Sequence, residues 1–180
     1  ALFLGHSPFS IVQLLWINLI MDTFAAIALA TEPPTPELLK RLPYGKDESL
    51  ISKTMMRNIL GQSIFQVCII ITMVFFGDQM FNVPVGRSIG HSAPATRHYT
   101  LIFNVFVMLQ LFNEVAARKI AGELNFFEGI FDNVYFVGIM VVTAVMQILL
   151  IATPMNTFAS CVALTPIEWV ACVVIGSFSL

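Results

Sequence analysis

The 180-residue chain is rich in apolar side chains, which make up 57% of it, and poor in charged side chains, which make up 11%. Soluble globular domains carry about 25% charged residues, so this composition argues against a soluble domain and predicts an all-α, polytopic bundle of membrane helices. The net charge of −2 carries no information on nucleic-acid binding, and we expect no nucleic-acid partner.

The first apolar segment, residues 11–31, carries two polar side chains near its middle, Asn18 and Asp22. Its length of about 31 Å as an α-helix matches a bilayer core of about 30 Å. An aspartate at the bilayer centre costs roughly 2.5–3.5 kcal/mol, so a helix that only has to span would avoid it. Because Asn18 and Asp22 are four residues apart, they share a helix face, and we interpret them as a functional pair. The alternative is a polar clamp between helices, a role to which Asn is suited.

Polar connectors and apolar segments then alternate along the chain. After a Pro-rich connector at 32–57, the apolar segments predict full spans at about 58–76, 99–116 and 134–151. A fifth apolar segment, at about 166–180, opens with a capping pattern in which Thr precedes Pro and a Glu follows three residues after the Thr. It is shorter than the roughly 20 residues needed to cross a bilayer. We therefore expect four full spans and a truncated fifth.

Polar side chains recur inside the second and third spans. Gln62 and Gln66 are four residues apart, and we expect both to face the interior of the bundle. For Asn104 we favour an interhelical hydrogen bond. For Gln110, near the middle of its span, lining of an ion site and structural hydrogen bonding remain equally good interpretations.

Near the end of the third span, Asn113 and Glu114 share a face with Gln110. Glu114 also precedes Arg118 by four residues. We expect these two side chains to form an ion pair at the end of the helix, where the membrane interface begins.

The distribution of Lys and Arg predicts the orientation. Connectors 32–57 and 117–133 hold most of them, whereas the regions on the other side hold only Arg87 and Arg97. Because cytoplasmic loops carry the excess of positive charge, the connector 32–57 is expected in the cytosol and the N-terminus of the chain outside. We interpret the histidines, which fall in the predicted outside loops, as solvated: His6, His91 and His98.

A buried carboxylate beside an amide suits a hard cation that takes oxygen ligands. Ca²⁺ prefers six to eight oxygens at about 2.3–2.6 Å. The chain offers the Asp22 carboxylate, the Asn18 amide oxygen and, as a further candidate, Gln110, so the predicted site is incomplete. The sequence contains no phosphate-binding loop, and no Asp is followed by Lys-Thr-Gly. We therefore predict metal ligands and no catalytic residues.

Several motifs carry a resemblance to a known family. The stretch 16–23 (Trp-Ile-Asn-Leu-Ile-Met-Asp-Thr) with 28–34 (Ala-Leu-Ala-Thr-Glu-Pro-Pro) resembles the sixth transmembrane helix of P-type calcium pumps. The stretches 98–104 (His-Tyr-Thr-Leu-Ile-Phe-Asn) and 110–114 (Gln-Leu-Phe-Asn-Glu) are similar to the plasma-membrane, calmodulin-regulated branch. The resemblance implies that residues 1–180 form the C-terminal transmembrane region of such a pump, with helices six to nine and the start of ten.

The resemblance also implies roles for particular residues. Asn18 and Asp22 match calcium ligands of the sixth helix, and Met21 stands where reticulum-type pumps carry a ligating Thr. Gln110 stands where those pumps carry a ligating Glu. Ca²⁺ would be the transported ion, and Mg²⁺ and ATP would act only in domains that this sequence does not include.

The implied partners are the lipid bilayer, helices one to five and the remaining domains of the pump. Calmodulin would bind only through a region that this sequence does not contain. The implied location is the plasma membrane or the vacuolar membrane. The alternative, from another class of protein, is a stand-alone multi-pass membrane protein that is not an enzyme, such as a passive channel or an assembly partner.

Overall fold

The computed structural model describes residues 9–31, 51, 53–84, 96–118 and 133–180, and all regular structure in these residues is helical. The first span consists of α1 (Ile11–Leu15), a π-helix (Trp16–Met21) and α2 (Asp22–Ala30). It is followed by three long helices and two short ones: α3 (Lys53–Phe81), α4 (Arg97–Ala117), α5 (Val134–Ala152), α6 (Met155–Phe158) and α7 (Pro166–Ser177).

The described residues contain four apolar helices long enough to cross a membrane. Their lengths are 20 residues for Ile11–Ala30, 29 for α3, 21 for α4 and 19 for α5. The helix α7 has 12 residues, fewer than the roughly 20 that a crossing requires. The structure thus confirms a bundle of four long membrane helices with a shorter fifth.

The helix α3 is longer at both ends than the predicted span 58–76. It begins at Lys53 and ends at Phe81, because polar residues that leave the apolar core of a bilayer can still continue a helix. Gly77 does not interrupt it. The helix ends where Asn82 adopts a φ of 50°, a left-handed conformation that Asn tolerates better than most residues.

The predicted helix start at Thr165 is confirmed in full. Its side chain caps the backbone of the third helical residue of α7, while Glu168 reaches back to the Thr165 N–H at 2.6 Å. A second capping box, formed by Ser10 and Gln13, opens α1. Both pairs supply partners for N–H groups that a helix start leaves unbonded.

The core of the bundle surrounds α4. Many of its apolar side chains are inaccessible, among them Leu101, Ile102, Phe103 and Val105. The helix α7 lies against it so closely that a Cβ atom at Gly176 would be 2.7 Å from Met108 Cβ. Close backbone approach at small residues is a typical means of packing membrane helices.

Polar contacts fix the two ends of α7 to α4. Arg97 Nη2 lies 2.8 Å from Glu168 Oε2 at one end, and Ser179 Oγ donates to the Leu109 carbonyl at 3.1 Å near the other. The short fifth helix is therefore part of the core.

The interpretation of His98 as a solvated loop residue is wrong. His98 is fully buried in the first turn of α4, and its Nε2 lies 2.9 Å from the Met73 carbonyl oxygen on α3. Gly77 makes room for the ring, because a Cβ atom there would lie 3.1 Å from His98 Nε2. His6 and His91 lie outside the described residues.

Candidate cation site in the first span

The first span changes its hydrogen-bonding pattern at the predicted polar pair. Residues Trp16–Met21 form a π-helix, and the Asp22 N–H donates to the Ile17 carbonyl, five residues back. Asn18 lies inside this wider turn and Asp22 directly follows it. Such π-helical turns are rare and occur frequently at functional sites. The apolar pattern of residues 11–31 predicts a regular α-helix here.

The π-helical turn has one side in the core and one side that the described residues leave uncovered. Ile17 and Met21 are buried, at 8% and 1% exposure. Asn18 and Asp22 are both exposed. The shared face expected for the pair is thus the face that the described residues leave open. Met21 contributes to the packing of the opposite face.

A second buried carboxyl group lies on a helix that contacts the first span. Glu114 on α4 is 7% exposed, and its Oε2 atom has no hydrogen-bond partner among the described residues. The helix α4 contacts α2, which begins at Asp22. Spacing along the chain does not connect Glu114 with Asp22, because the two residues belong to different spans.

The expected ion pair between Glu114 and Arg118 is not among those that the described residues form. The carbon of the Arg118 guanidinium lies 4.9 Å from the centroid of the Phe136 ring, a cation–π arrangement. The ion pair seen in the described part of the chain joins Arg97 to Glu168. A spacing of four residues allows an ion pair to form within a helix. Here the Arg118 guanidinium lies over the Phe136 ring at the start of α5 instead.

Gln110, the further candidate ligand, points to a different neighbour. Its Nε2 atom donates to Gln66 Oε1 on α3 at 3.0 Å. No hydrogen bond between Gln110 and Asn18 or Asp22 is found within the described ranges. Gln62 on α3 also bonds inward, from its Nε2 atom to the Ser179 carbonyl at 2.6 Å. The expectation that both α3 glutamines face the bundle is confirmed, and in this chain Gln110 makes an interhelical hydrogen bond.

A buried chain of hydrogen bonds starts at the first residue of the π-helix. The Trp16 indole Nε1 donates to Gln147 Oε1 on α5 at 3.1 Å, and Gln147 Nε2 donates to Asn104 Oδ1 on α4 at 3.2 Å. This confirms the interhelical role expected for Asn104. The partnership of Trp16 with Gln147 was not predicted from the sequence. The available signal was that each side chain places a polar group within an apolar span.

The ends of the first span are held by further hydrogen bonds. Gln13 Nε2 lies 3.3 Å from Cys161 Sγ, and Ser10 Oγ donates to the Ala159 carbonyl at 3.3 Å. At the other end, Asn133 Nδ2 donates to the Thr31 carbonyl at 3.1 Å. The uncovered pair thus lies between two anchored ends.

The number of ligands limits what this chain can bind by itself. Asn18 and Asp22 offer two side-chain groups, whereas Ca²⁺ requires six to eight oxygens. No group of three or more His, Cys, Asp or Glu suited to a metal ion occurs within the described residues. A Ca²⁺ site that included this pair would therefore need further oxygen ligands besides Asn18 and Asp22.

Comparison with known proteins identifies the family. The chain matches the family described as "Cation transporting ATPase, C-terminus" over residues 6–180. It is 51% identical over 170 residues to plasma membrane calcium-transporting ATPase 3 of Homo sapiens, covering 94% of this chain and 14% of that protein. It is 49% identical over 174 residues to plasma membrane calcium-transporting ATPase 1 of Gallus gallus, covering 97% of this chain and 14% of the relative.

A third relative is plasma membrane calcium-transporting ATPase 2 of Oreochromis mossambicus, which is 52% identical over 170 residues, 94% of this chain and 15% of that protein. The chain therefore spans about one seventh of the length of the relatives it matches. The family match covers nearly all of its residues, in agreement with the resemblance that the motifs carry. This chain belongs to the cation-transporting ATPase family and corresponds to the C-terminal, multi-pass membrane region of its members.

Proposed function

We propose that this chain is the C-terminal membrane domain of an ATP-driven calcium pump, residues 1–180, and that Asn18 and Asp22 supply oxygen ligands to the exported Ca²⁺. The observation that carries this proposal is the uncovered amide and carboxylate beside a π-helical turn in an apolar span. The names of the relatives support calcium as the transported ion.

The chemistry of the site fits a divalent cation. An isolated carboxylate in an apolar surrounding is costly, and a bound cation offsets that cost. The exposed side of the π-helical turn leaves room for ligands from the other spans of the pump.

The other parts of the pump would supply the energy. ATP and Mg²⁺ would act in domains outside this chain, and phosphorylation there would switch the access of the site from the cytosol to the outside. Connector 32–57 would lie in the cytosol against those domains, with the start of this chain outside. The pump would reside in the plasma membrane or the vacuolar membrane. Calmodulin would act through a region that this sequence does not contain.

The test is the substitution Asp22→Asn in a full-length pump that contains this region. Loss of a charged ligand is expected to raise the calcium concentration for half-maximal phosphoenzyme formation from ATP by at least about tenfold to a hundredfold. The control is Asp78→Asn, the same chemical change at a buried position on α3, which is expected to leave this concentration unchanged. Unchanged calcium dependence in Asp22→Asn would refute the ligand role.

The stand-alone alternative is tested separately. A reading frame that continues upstream of Ala1 and encodes Asp-Lys-Thr-Gly would support the pump. A native start codon just before Ala1 would support a non-enzymatic membrane protein instead.

A further inference from the structure

We propose that α5 and its N-cap position the cation site: Gln147 hydrogen-bonds the first span at the first residue of the π-helix, Asn133 hydrogen-bonds it at its C-cap, and together they maintain the π-helical turn. This inference rests on the proposed function, because its consequence is the placement of Asn18 and Asp22 for Ca²⁺. It assigns a positioning role to two residues of a helix that contributes no ligand.

The two anchors lie on one helix. Gln147 Oε1 accepts from Trp16 Nε1 at 3.1 Å, and Asn133 Nδ2 donates to the Thr31 carbonyl at 3.1 Å. Trp16 is the first residue of the π-helix, and Thr31 is the C-cap of the span. The first span and α5 therefore run antiparallel, with the π-helical turn between the two anchors.

The number of residues between the two hydrogen-bonded positions fits a π-helical turn in the first span. From Trp16 to Thr31 the first span has one residue more than α5 has from Asn133 to Gln147. Two regular α-helices rise equally per residue. The distance along the helix axis between the two anchored residues would therefore be about 1.5 Å longer in the first span than in α5. A π-helical turn takes up one additional residue in its circumference. The anchors thus match a first span that contains this turn.

The same anchors set the direction of the ligands. A regular α-helix turns by about 100° for each residue. If the π-helical turn became a regular α-helical turn, the direction of the Asp22 side chain would therefore change by about that angle relative to Trp16. Side chains two residues apart do not share a face. With Trp16 bonded into the bundle, Asn18 faces outward, as its exposure shows.

The hydrogen bonds at Gln147 have a fixed direction. An indole N–H can only donate, so the Gln147 oxygen must face Trp16 and its NH₂ group must face Asn104. Gln147 and Asn104 are both fully buried, and Asn104 accepts at 3.2 Å. The amide of Gln147 is therefore held by a partner on each side, and it transmits the position of α4 to the π-helical turn.

The experiment uses the full-length pump with Trp16→Phe and Gln147→Leu, alone and combined, and Asn133→Ser. Ser keeps an oxygen for the cap on Phe136 N, which Asn133 Oδ1 now provides at 3.1 Å, but its shorter side chain lacks the amide NH₂ that donates to the Thr31 carbonyl. The matched control is Thr143→Val. Thr143 is buried one turn from Gln147 on α5 but bonds within its own helix, to the Ile139 carbonyl.

Each single variant is expected to raise the calcium concentration for half-maximal phosphoenzyme by about threefold, the effect of losing an average interhelical hydrogen bond in a membrane. The maximal phosphoenzyme level stays unchanged. The combined Trp16→Phe and Gln147→Leu variant is expected to be no worse than Gln147→Leu, because Gln147→Leu alone already removes the hydrogen bond to Trp16. Thr143→Val keeps the normal calcium dependence.

Two outcomes overturn the inference while leaving the calcium site standing. One is calcium dependence in Trp16→Phe and Asn133→Ser equal to that of Thr143→Val, while Asp22→Asn shows its loss. The other is a fall in maximal phosphoenzyme without a shift in calcium dependence, which indicates a merely structural role. If Asp22→Asn itself has no effect, the proposed function fails instead. Poor folding of Gln147→Leu leaves the decision to Trp16→Phe and Asn133→Ser.

Discussion

The first span and α4 both carry polar side chains within apolar helices, but they use them differently. In the most apolar stretch of α4, 67% of the residues are buried, against 22% in the first span. Asn104 and Gln110 on α4 hydrogen-bond to other helices, whereas Asn18 and Asp22 are exposed on a π-helical turn. A polar residue in a membrane helix therefore acquires its role from its neighbours.

The physical basis of this difference is the satisfaction of polar groups. An amide that bonds across a helix interface is stabilised and contributes to packing. A carboxylate on an uncovered face is stable only when other groups or a cation cover it. Substitutions that remove packing around α4 should affect stability, whereas those at the π-helical turn should affect calcium affinity.

The largest effect on stability is expected for Gly176→Ala. The new methyl group would lie 2.7 Å from Met108 Cβ and 3.0 Å from Phe112 Cδ2, so α7 would have to move away from α4. Overpacking of this kind costs about 1–3 kcal/mol. The measurement is thermal unfolding of the detergent-solubilised full-length protein. The control is Gly138→Ala on α5. A Cβ atom added there would have no heavy atom within 4 Å apart from the backbone of its own helix, so this variant should be neutral or slightly stabilising.

A smaller loss is expected for Arg97→Met, which leaves the buried Glu168 carboxylate without its cation. Because Arg97 is more than one third exposed and solvent screens the pair, we expect about 1–2 kcal/mol rather than the full cost of breaking a buried ion pair. The same unfolding assay applies, with Lys53→Met, an exposed position at the start of α3, as control. Equal stability of the two variants would show that the ion pair contributes nothing to the attachment of α7.

The sharpest test of the comparison pairs Asn104→Leu with Asn18→Leu. Asn104→Leu removes a buried hydrogen bond and is expected to cost about 0.6–2 kcal/mol of stability. Asn18→Leu is expected to leave stability unchanged, because the side chain is exposed, and to weaken calcium binding in the full-length pump. The contrast between the two helices fails if Asn18→Leu destabilises the protein as much as Asn104→Leu and keeps normal calcium dependence.

The smallest expected signal is calcium binding to the isolated chain in detergent. Since six oxygens are not available from Asn18, Asp22 and Glu114 side chains together with their immediate backbone, we expect no saturable binding at micromolar Ca²⁺. Equilibrium binding with radioactive calcium measures this directly. Saturable micromolar binding that disappears in Asp22→Asn would show that the chain holds a complete site.

Much of the fold was predictable because it depends on local chemistry. The four long spans follow from apolar length, and the start of α7 follows from the pattern at Thr165. The inward direction of Gln62 and the interhelical bond of Asn104 follow from the cost of polar groups in an apolar bundle. Each of these predictions required only residues close together in the sequence.

Other features could not be read from local patterns. Burial of His98 depends on Gly77 of another helix, and the position of Arg118 depends on Phe136. The contact between α2 and α4, which carry Asp22 and Glu114, joins two separate spans. Spacing along one helix predicts which residues share a face, but it does not identify the neighbour on that face.

The sequence by itself determined the membrane class, the number of long spans and the family, because apolar length and motifs are properties of the chain; it also predicts Asn18 and Asp22 as cation ligands. Only the tertiary structure decided that this pair lies on a π-helical turn with one open side. A π-helix has no characteristic side-chain pattern, and its hydrogen bonds are less favoured in an isolated segment than those of an α-helix. The turn is present here with Trp16 and Thr31 bonded to α5, residues far away in the sequence.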